Sequence, residues 1–258
     1  MKRILFLGDT HCGHISGLTP PAWRVSKERC EMIGQDWHSV QEKCWNTYLK
    51  YIEELKPIYG VCVGGDCGDG TQRKQNGLEL ITTDEAEQAN MAIYAIKKTE
   101  AEHYACVYGT PYHVGPQYAI DAAVAKGLDA PIDNTMDVLV NGCRIRFRHK
   151  IGGSQTPVGG DPALRKKDIN DLVWKEEHGL PKADLQAFFH VHRWRMIDMK
   201  IFSCPALQAW TSFGSRQCES IIHWGLFAVD IDDDGTPIKF HKKFMRLKEI
   251  KVNKDQIW

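Results

Sequence analysis

The sequence predicts a mixed α/β protein in which two packed β-sheets are covered by helices. Three observations lead there. In the first half, short β-rich apolar runs alternate with longer stretches of helical period. In the second half, strand candidates follow one another with a single helix between them, and alternation followed by a run of strands is the pattern of stacked sheets. No linker rich in Pro, Gly or Ser and no internal repeat divides the chain, so residues 1–258 are expected to form one domain.

Arg3 to Gly8 reads as the first strand, because Ile4, Leu5, Phe6 and Leu7 form a short buried-type run closed by glycine. Ser16 to Gln35 carries Pro20, Pro21 and Trp23 with no clear period, and a connection of this length suits a lid or binding loop. Asp36 to Leu55 predicts a helix: Val40, Trp45, Tyr48, Leu49, Ile52 and Leu55 recur at helical spacing and Pro57 follows the end. Ile58 to Gly64 repeats the buried-strand pattern. Asp84 to His103 predicts a second long helix, with Thr82 or Thr83 as cap and Ala89, Ala92, Ile93 and Ile96 as its stripe. Tyr104 to Gly109 is the third strand. Beyond it, Val138 to Val140, Cys143 to His149, Leu185 to His190, Lys200 to Cys204, Leu226 to Ile231 and Ile238 to Phe244 are expected as strands. Pro162 to His178 is expected as a helix, and the acidic turn Asp232 to Gly235 joins the last two strands as a hairpin.

Composition narrows the class. With 43% hydrophobic and 26% charged residues the chain is neither disordered nor membranous in character, and no apolar run nears the ~20 residues of a spanning helix. The apolar stretch Ile4 to Gly8 is too short for an export signal, so a cytoplasmic location is expected. The nine cysteines are odd in number and lack a CxxC pair, which predicts free thiols and no thiolate zinc site. The 33 basic and 33 acidic side chains cancel, so no overall field draws the chain to nucleic acid or membrane. Two local clusters would be the places to touch a polyanion: Arg144, Arg146, Arg148 and Lys150, and then Arg165, Lys166 and Lys167.

Chemistry-bearing residues gather where strands end. The first strand runs into Asp9-Thr10-His11-Cys12-Gly13-His14, the second into Gly65-Asp66-Cys67-Gly68-Asp69, the third into Gly109-Thr110-Pro111-Tyr112-His113. Two later strands end in His149 and in His190-Val191-His192. Ligands collect beyond the carboxyl ends of strands in open α/β sheets, so these loops are expected to converge. In an extended segment, residues two apart face the same side, so Asp-x-His and His-x-His each offer two ligands to one site. Carboxylate plus imidazole suits Mn, Fe or Zn, and a carboxylate such as Asp66 can bridge two cations. A lone Asp-x-His is a common solvated turn, and paired histidines also satisfy core hydrogen bonds, but five such loops in order are hard to attribute to chance. Asp69 is expected in a structural role. Cys12 invites comparison with a thiol nucleophile, but His11 as a metal ligand could not serve as its base. His14 is expected either near phosphate or as a solvated loop residue. The glycines at 64 to 70 and 152 to 160 lack the Gly-Lys-Ser/Thr ending of a P-loop and read as tight turns.

The order of these motifs resembles the calcineurin-like metallophosphoesterase superfamily, whose motifs run D-x-H, G-D-x-x-D, G-N-H-E/D, a later His, and G-H-x-H. The stretch Leu18-Thr19-Pro20-Pro21, the Trp-bearing segment Gln41 to Trp45 and a third motif of the form G-T-x-x-H are similar to a subgroup met in phages and prophages. The resemblance implies a four-layer sandwich of two mixed β-sheets flanked by helices, of α+β type, with two divalent cations at the strand ends. The expected metal is Mn2+, with Fe, Zn or Mg as alternatives. Asp9, His11 and His192 would hold one cation, His149 and His190 the other, Asp66 would bridge, and a metal-bound hydroxide would attack phosphorus. The third motif departs: Thr110 stands where the superfamily has an Asn ligand, and Phe189 replaces the glycine before His190. His113 is expected as the general acid to the leaving group, the alternative being a replacement ligand. The expected substrate is a phosphate ester, with DNA or RNA phosphodiesters preferred over small nucleotides or phosphoproteins. A degenerate metal- or nucleic-acid-binding protein and a mononuclear zinc hydrolase are the competing readings.

Overall fold

The computed structural model describes residues 1–72, 77–150, 160–211 and 222–246. The first strand, β1 (Lys2–Leu7), runs parallel to β2 (Gly60–Val63), which pairs in parallel with β3 (His103–Val107) and then β4 (Ile132–Asp133). On its other side β1 meets β10 (Trp224–Ile231) antiparallel, and β10 continues into β11 (Pro237–Met245), giving a six-stranded mixed sheet ordered β11-β10-β1-β2-β3-β4. The last two strands are the hairpin predicted from the acidic turn, closed by Asp232 accepting the Thr236 amide at 2.8 Å. The second sheet is ordered β5-β6-β7-β9-β8, from Met136–Val140, Cys143–Lys150, Leu185–Phe189, Ile201–Ser203 and Arg195–Ile197. It too is mixed, with β6, β7 and β9 parallel and β5 and β8 antiparallel to their neighbours.

Alternation along β1 explains the stacking. Ile4 and Phe6 face the second sheet, packing with Phe147, Phe189, Phe202 and Phe227, while Leu5 and Leu7 face the helices. Those helices are α2 (Trp37–Leu55), α3 (Glu85–Lys97) and α5 (Ala119–Gly127), joined there by Trp45, Tyr48, Ile96 and Val124. On the far face of the second sheet, Leu164 of α6 (Gly160–His178) packs against Phe188, Ile197 and Ile201. The layers therefore run helices, sheet, sheet, helix, the predicted sandwich of two mixed sheets flanked by helices. Among the described residues no helix is long and apolar enough to cross a membrane. The eight described cysteines are free and buried, and Cys218 lies outside the described residues.

Three local expectations change. The helix predicted over Asp84 to His103 stops at Lys97: Thr99 turns its hydroxyl back to the Ile96 carbonyl at 2.7 Å, Glu100 takes φ 51°, and His103 opens β3. The irregular Ser16 to Gln35 connection contains its own helix, α1 (Lys27–Ile33), capped by the Ser26 side chain and by Gly34 at φ 68°. Its Val25 and Cys30 pack on Ile15 and Trp37, and Gln41 pins the entry by accepting the Val25 amide and donating to the Ile15 carbonyl. The short helix α4 (Pro111–Val114) and α5 lie where the sequence reading placed nothing. Of the glycine turns predicted at 152 to 160, residues 152–159 lie outside the described residues, and Gly160 opens α6.

Candidate metal centre

The loops after β1 and β2 run side by side, joined by the Asp9 amide to Gly65 O at 3.0 Å, His11 to Asp66 O at 3.1 Å and Cys12 to Cys67 O at 2.9 Å. That ladder carries Asp9, His11 and Asp66 to the carboxyl edge of the first sheet. His149 arrives from the end of β6, and His190 and His192 from the loop after β7. The six predicted ligands fall into two groups, Asp9 with His11 and His192, and Asp66 with His149 and His190, the potential ligand atoms in each lying within 4.8 Å of one another. The two groups adjoin, since the His190 amide donates to Asp9 Oδ2 at 3.0 Å.

Convergence is achieved differently from the extended spacing the sequence suggests. Asp9, His11, Asp66, His190 and His192 have φ of 49°, 43°, 48°, 73° and 52°, the left-handed region that few non-glycine residues occupy. Each D-x-H and H-x-H pair is thus presented by tight reversals of the backbone. Such conformations cost about 1–3 kcal/mol each and persist where the surroundings impose them, which is characteristic of ligand-holding sites.

The donor set fits divalent cations. Asp9 is fully buried, yet its Oδ1 has no hydrogen-bond partner among the described residues, with His192 Nε2 3.4 Å away. His149 Nδ1 lies 2.7 Å from the Gly64 carbonyl, which can only accept, so Nε2 is the atom that takes up a proton or offers a lone pair inward, 3.0 Å from Asp66 Oδ2 and 3.2 Å from His190 Nδ1. His11 is oriented likewise, its Nδ1 2.7 Å from Asp69 Oδ1 and its Nε2 3.2 Å from His192 Nε2. Burial pulls the His11 imidazole below its ordinary value despite Asp69, which keeps that ring neutral. Burial alone would raise Asp66, but His149 and His190 hold its carboxyl well below the usual range. His149 in turn resists its burial through Asp66 and is lifted to about 9, so the cluster attracts a positive charge, proton or metal, to Nε2.

Thr110 and His113 take separate places in the third loop. Thr110 faces the Asp66 carboxylate, its amide 2.6 Å and its hydroxyl 3.1 Å from Oδ1. His113 stands 2.6 Å from Asp69 through Nδ1, outside the Asp66–His149–His190 group. Asp69 also receives His11 and the Gln72 side chain, so His11, Asp69 and His113 form a satisfied hydrogen-bonded set. Burial lowers His113 but Asp69 more than offsets it, leaving the imidazole above its ordinary value and able to carry a proton. The rings of His113, His190 and His192 are 26%, 27% and 18% exposed while His11 and His149 are buried, so solvent reaches the centre past those three.

Other residues from the motifs are structural. Cys12 is buried with its thiol 3.2 Å from the Leu18 carbonyl, and burial pushes that thiol up to about 12, which removes it as a nucleophile. His14 is neither solvated nor at the opening: it is 2% exposed, takes the Ser16 amide on Nδ1 at 3.0 Å and points Nε2 toward Glu79 and Asp69. Phe189 fills the space above Gly8, where an added Cβ would lie 2.6 Å from its ring, and above Gly64. Two positioning residues were missed. Gln88 accepts the Asp69 and Gly70 amides at 2.8 and 2.9 Å and donates to the Gly70 carbonyl; its signal is a glutamine beside the apolar stripe of α3. Asp121 ties the second loop to the third through the Cys67 and Gly109 amides at 3.1 and 2.7 Å, and nothing in the sequence marks it. Arg144 and Arg146 do not form a free basic track, since Asp137 accepts from both and Asp171 from Arg146.

No family model matches the chain, and no curated protein sequence matches it. Solved structures of similar fold include an archaeal phosphodiesterase, 12% identical over 94% of this chain and 99% of that one, with a TM-score of 0.45. Vps29 complexed with Zn2+ from Entamoeba histolytica is 14% identical over 90% and 87% of the two chains, TM-score 0.42. A 5'-nucleotidase precursor from Thermus thermophilus is 13% identical over 95% of this chain and 54% of its own, TM-score 0.39.

Proposed function

We propose that the chain is a metal-dependent phosphoesterase working at the Asp9–His192 and Asp66–His190 groups. The observation that supports this most is the pair of adjoining carboxylate–imidazole groups, five of whose six members are held in left-handed backbone while Asp9 Oδ1 has no hydrogen-bond partner among the described residues. Two divalent cations bound there would acidify a water molecule and neutralise the phosphoryl oxygens. Asp66, 3.0 Å from His149 Nε2 and 3.9 Å from His190 Nδ1, would be the carboxylate shared by the two cations. Gly64 and Asp69 fix the tautomers of His149 and His11, so neither ring has to reorient during turnover. Thr110 secures Asp66, and His113, which Asp69 holds above its ordinary value, is the group to deliver a proton to the departing oxygen. N/O ligands without thiolate suit Mn2+, with Fe, Zn and Mg as the other ions to test.

The test is hydrolysis by purified protein loaded with each of these metals. Aryl phosphodiesters and monoesters, single-stranded and duplex DNA, RNA and mononucleotides are compared, with His192→Ala as the blank. Cleavage above the blank that Asp66→Asn abolishes supports the reading. Turnover no greater than the blank, at full metal occupancy with every ion, rejects it. Preference for the nucleic-acid substrates over small esters would establish the nuclease reading.

A further inference from the structure

A second cavity, of about 500 Å³, opens between α6 and the outer face of the second sheet. Strand alternation along β6 separates it from the metal centre. Phe147 and His149 point toward the first sheet, the former into the inter-sheet core and the latter to the Gly64 carbonyl, while Arg146 and Arg148 point toward α6. Arg146 is already answered by Asp137 and Asp171. Arg148 and Lys167 are less fully answered: among the described residues neither makes a direct ion pair, Asp171 and Asp137 on the same lining act on Arg148 only at longer range, and the Phe188 ring lies 6.0 Å from its guanidinium carbon. The two approach closely enough that Arg148 adds to burial in pulling the Lys167 ammonium below its ordinary value.

Two buried donors on the same wall are also unused. Arg148 Nε has no hydrogen-bond partner among the described residues, nor has Nε2 of Gln186, a side chain only 2% exposed. Buried donors left bare cost about 1–3 kcal/mol each, so a cavity where Arg148, Lys167 and Gln186 converge, its two carboxylates Asp137 and Asp171 being engaged by Arg146, suits acceptor oxygens carrying negative charge. The mouth is of another kind. Trp174, 52% exposed, and Leu180 offer an aromatic and aliphatic wall. The volume lies in the ~300–1,000 Å³ range of small-molecule sites.

We propose that this cavity binds a small phosphate monoester bearing an aromatic ring, of the nucleoside monophosphate class. The phosphate oxygens meet Arg148, Lys167 and the Gln186 amide, and the ring lies against Trp174. This site is independent of the metal centre and of the reaction proposed for it.

Calorimetric titration of AMP into the full chain, stripped of metal by chelator, tests it. One-site saturation is expected, weakened at least about tenfold by Lys167→Met and by Gln186→Leu, the loss of one hydrogen bond to a charged group. Trp174→Ala should weaken AMP while leaving ribose 5-phosphate unchanged, and His192→Ala should bind AMP as the wild type does. No saturable heat at millimolar AMP overturns the proposal, as does affinity untouched by either donor variant or lost in His192→Ala alone. Ribose 5-phosphate binding as tightly as AMP in the wild type overturns the aromatic part. Should Gln186→Leu fail to fold by circular dichroism, Lys167→Met, on the helix, still decides the matter.

Discussion

The Thr110 hydroxyl lies 3.1 and 3.2 Å from the two oxygens of Asp66, and the Thr110 amide donates to the same carboxylate at 2.6 Å. Hydrogen-bonded in this way, Thr110 orients the carboxylate proposed as a ligand. Thr110→Val removes the hydroxyl and keeps the shape, so it should weaken metal binding by about 10–100-fold, the usual cost of losing a partner that orients a ligand. Thr110→Ser should restore most of the affinity. Competition against a chelating dye measures both, and a valine variant that binds metal as tightly as the wild type would discard this role.

His113 is placed by Asp69, away from the Asp66 group, with its ring partly exposed at the opening, which suits proton delivery; with His11 and Asp69 it also makes a third set of ligand types within 4.8 Å of one another. A general acid matters most when the departing oxygen is a poor leaving group. His113→Gln should therefore cut kcat by about 10²–10⁴ on an alkyl phosphoester and far less on a p-nitrophenyl ester. Asp69→Asn should show the same selectivity on top of weaker metal binding, because it releases both the His113 and the His11 rings. Equal losses on both esters, or loss of metal in His113→Gln, would show that the residue does something else.

Much of this site was legible because ligand types recur beside glycines at strand ends, a pattern that periodicity alone can locate. What was not legible is how the backbone delivers them. Asp9 and His11 read as an extended pair, but φ of 49° and 43° arises from the ladder to Gly65 and Asp66, a contact some fifty residues away in sequence. His14 read as a loop residue because it follows the first strand in a glycine-rich turn, while burial against Ser16, Glu79 and Asp69 is a tertiary fact. The helix α1 escaped because seven residues give too few turns for a period, and its caps, Ser26 and Gly34, emerge only in the structure. The basic run on β6 was read as a surface, since the chain gives no sign that Asp137 and Asp171 fold back over it.

Phe189, where the resembled motif has glycine, is matched by Gly64 across the two sheets. A Cβ at Gly64 would collide with Cγ, Cδ1 and Cε1 of the Phe189 ring. Gly64→Ala should then cost about 1–3 kcal/mol through overpacking. It should also tilt His149, whose Nδ1 depends on the Gly64 carbonyl. Adding Phe189→Leu should recover part of the loss. Urea midpoints for both singles and the double decide this, and strict additivity would mean that the two side chains do not meet.

Asp230 binds β10 to both of its neighbours. Arg3 of β1 reaches its two oxygens at 2.6 and 3.0 Å, and His241 of β11 its Oδ2 at 2.8 Å, with Asp230 itself 1% exposed. Burial alone would raise this carboxyl, but Arg3 and His241 together hold it below its ordinary value. A depressed folded value means that the proton is bound more readily by the unfolded chain. The contribution is therefore complete above the ordinary value of about 3.9 and disappears as pH falls through the lower folded one. Asp230→Asn leaves Arg3 without its charge partner and should cost about 3–5 kcal/mol at pH 7. Measured by urea unfolding, the gap between variant and wild type should hold from pH 7 to about 5 and close below about 4. A gap that stays constant down to pH 2 would mean that packing or hydrogen bonding, and not the charge, is what Asp230 supplies.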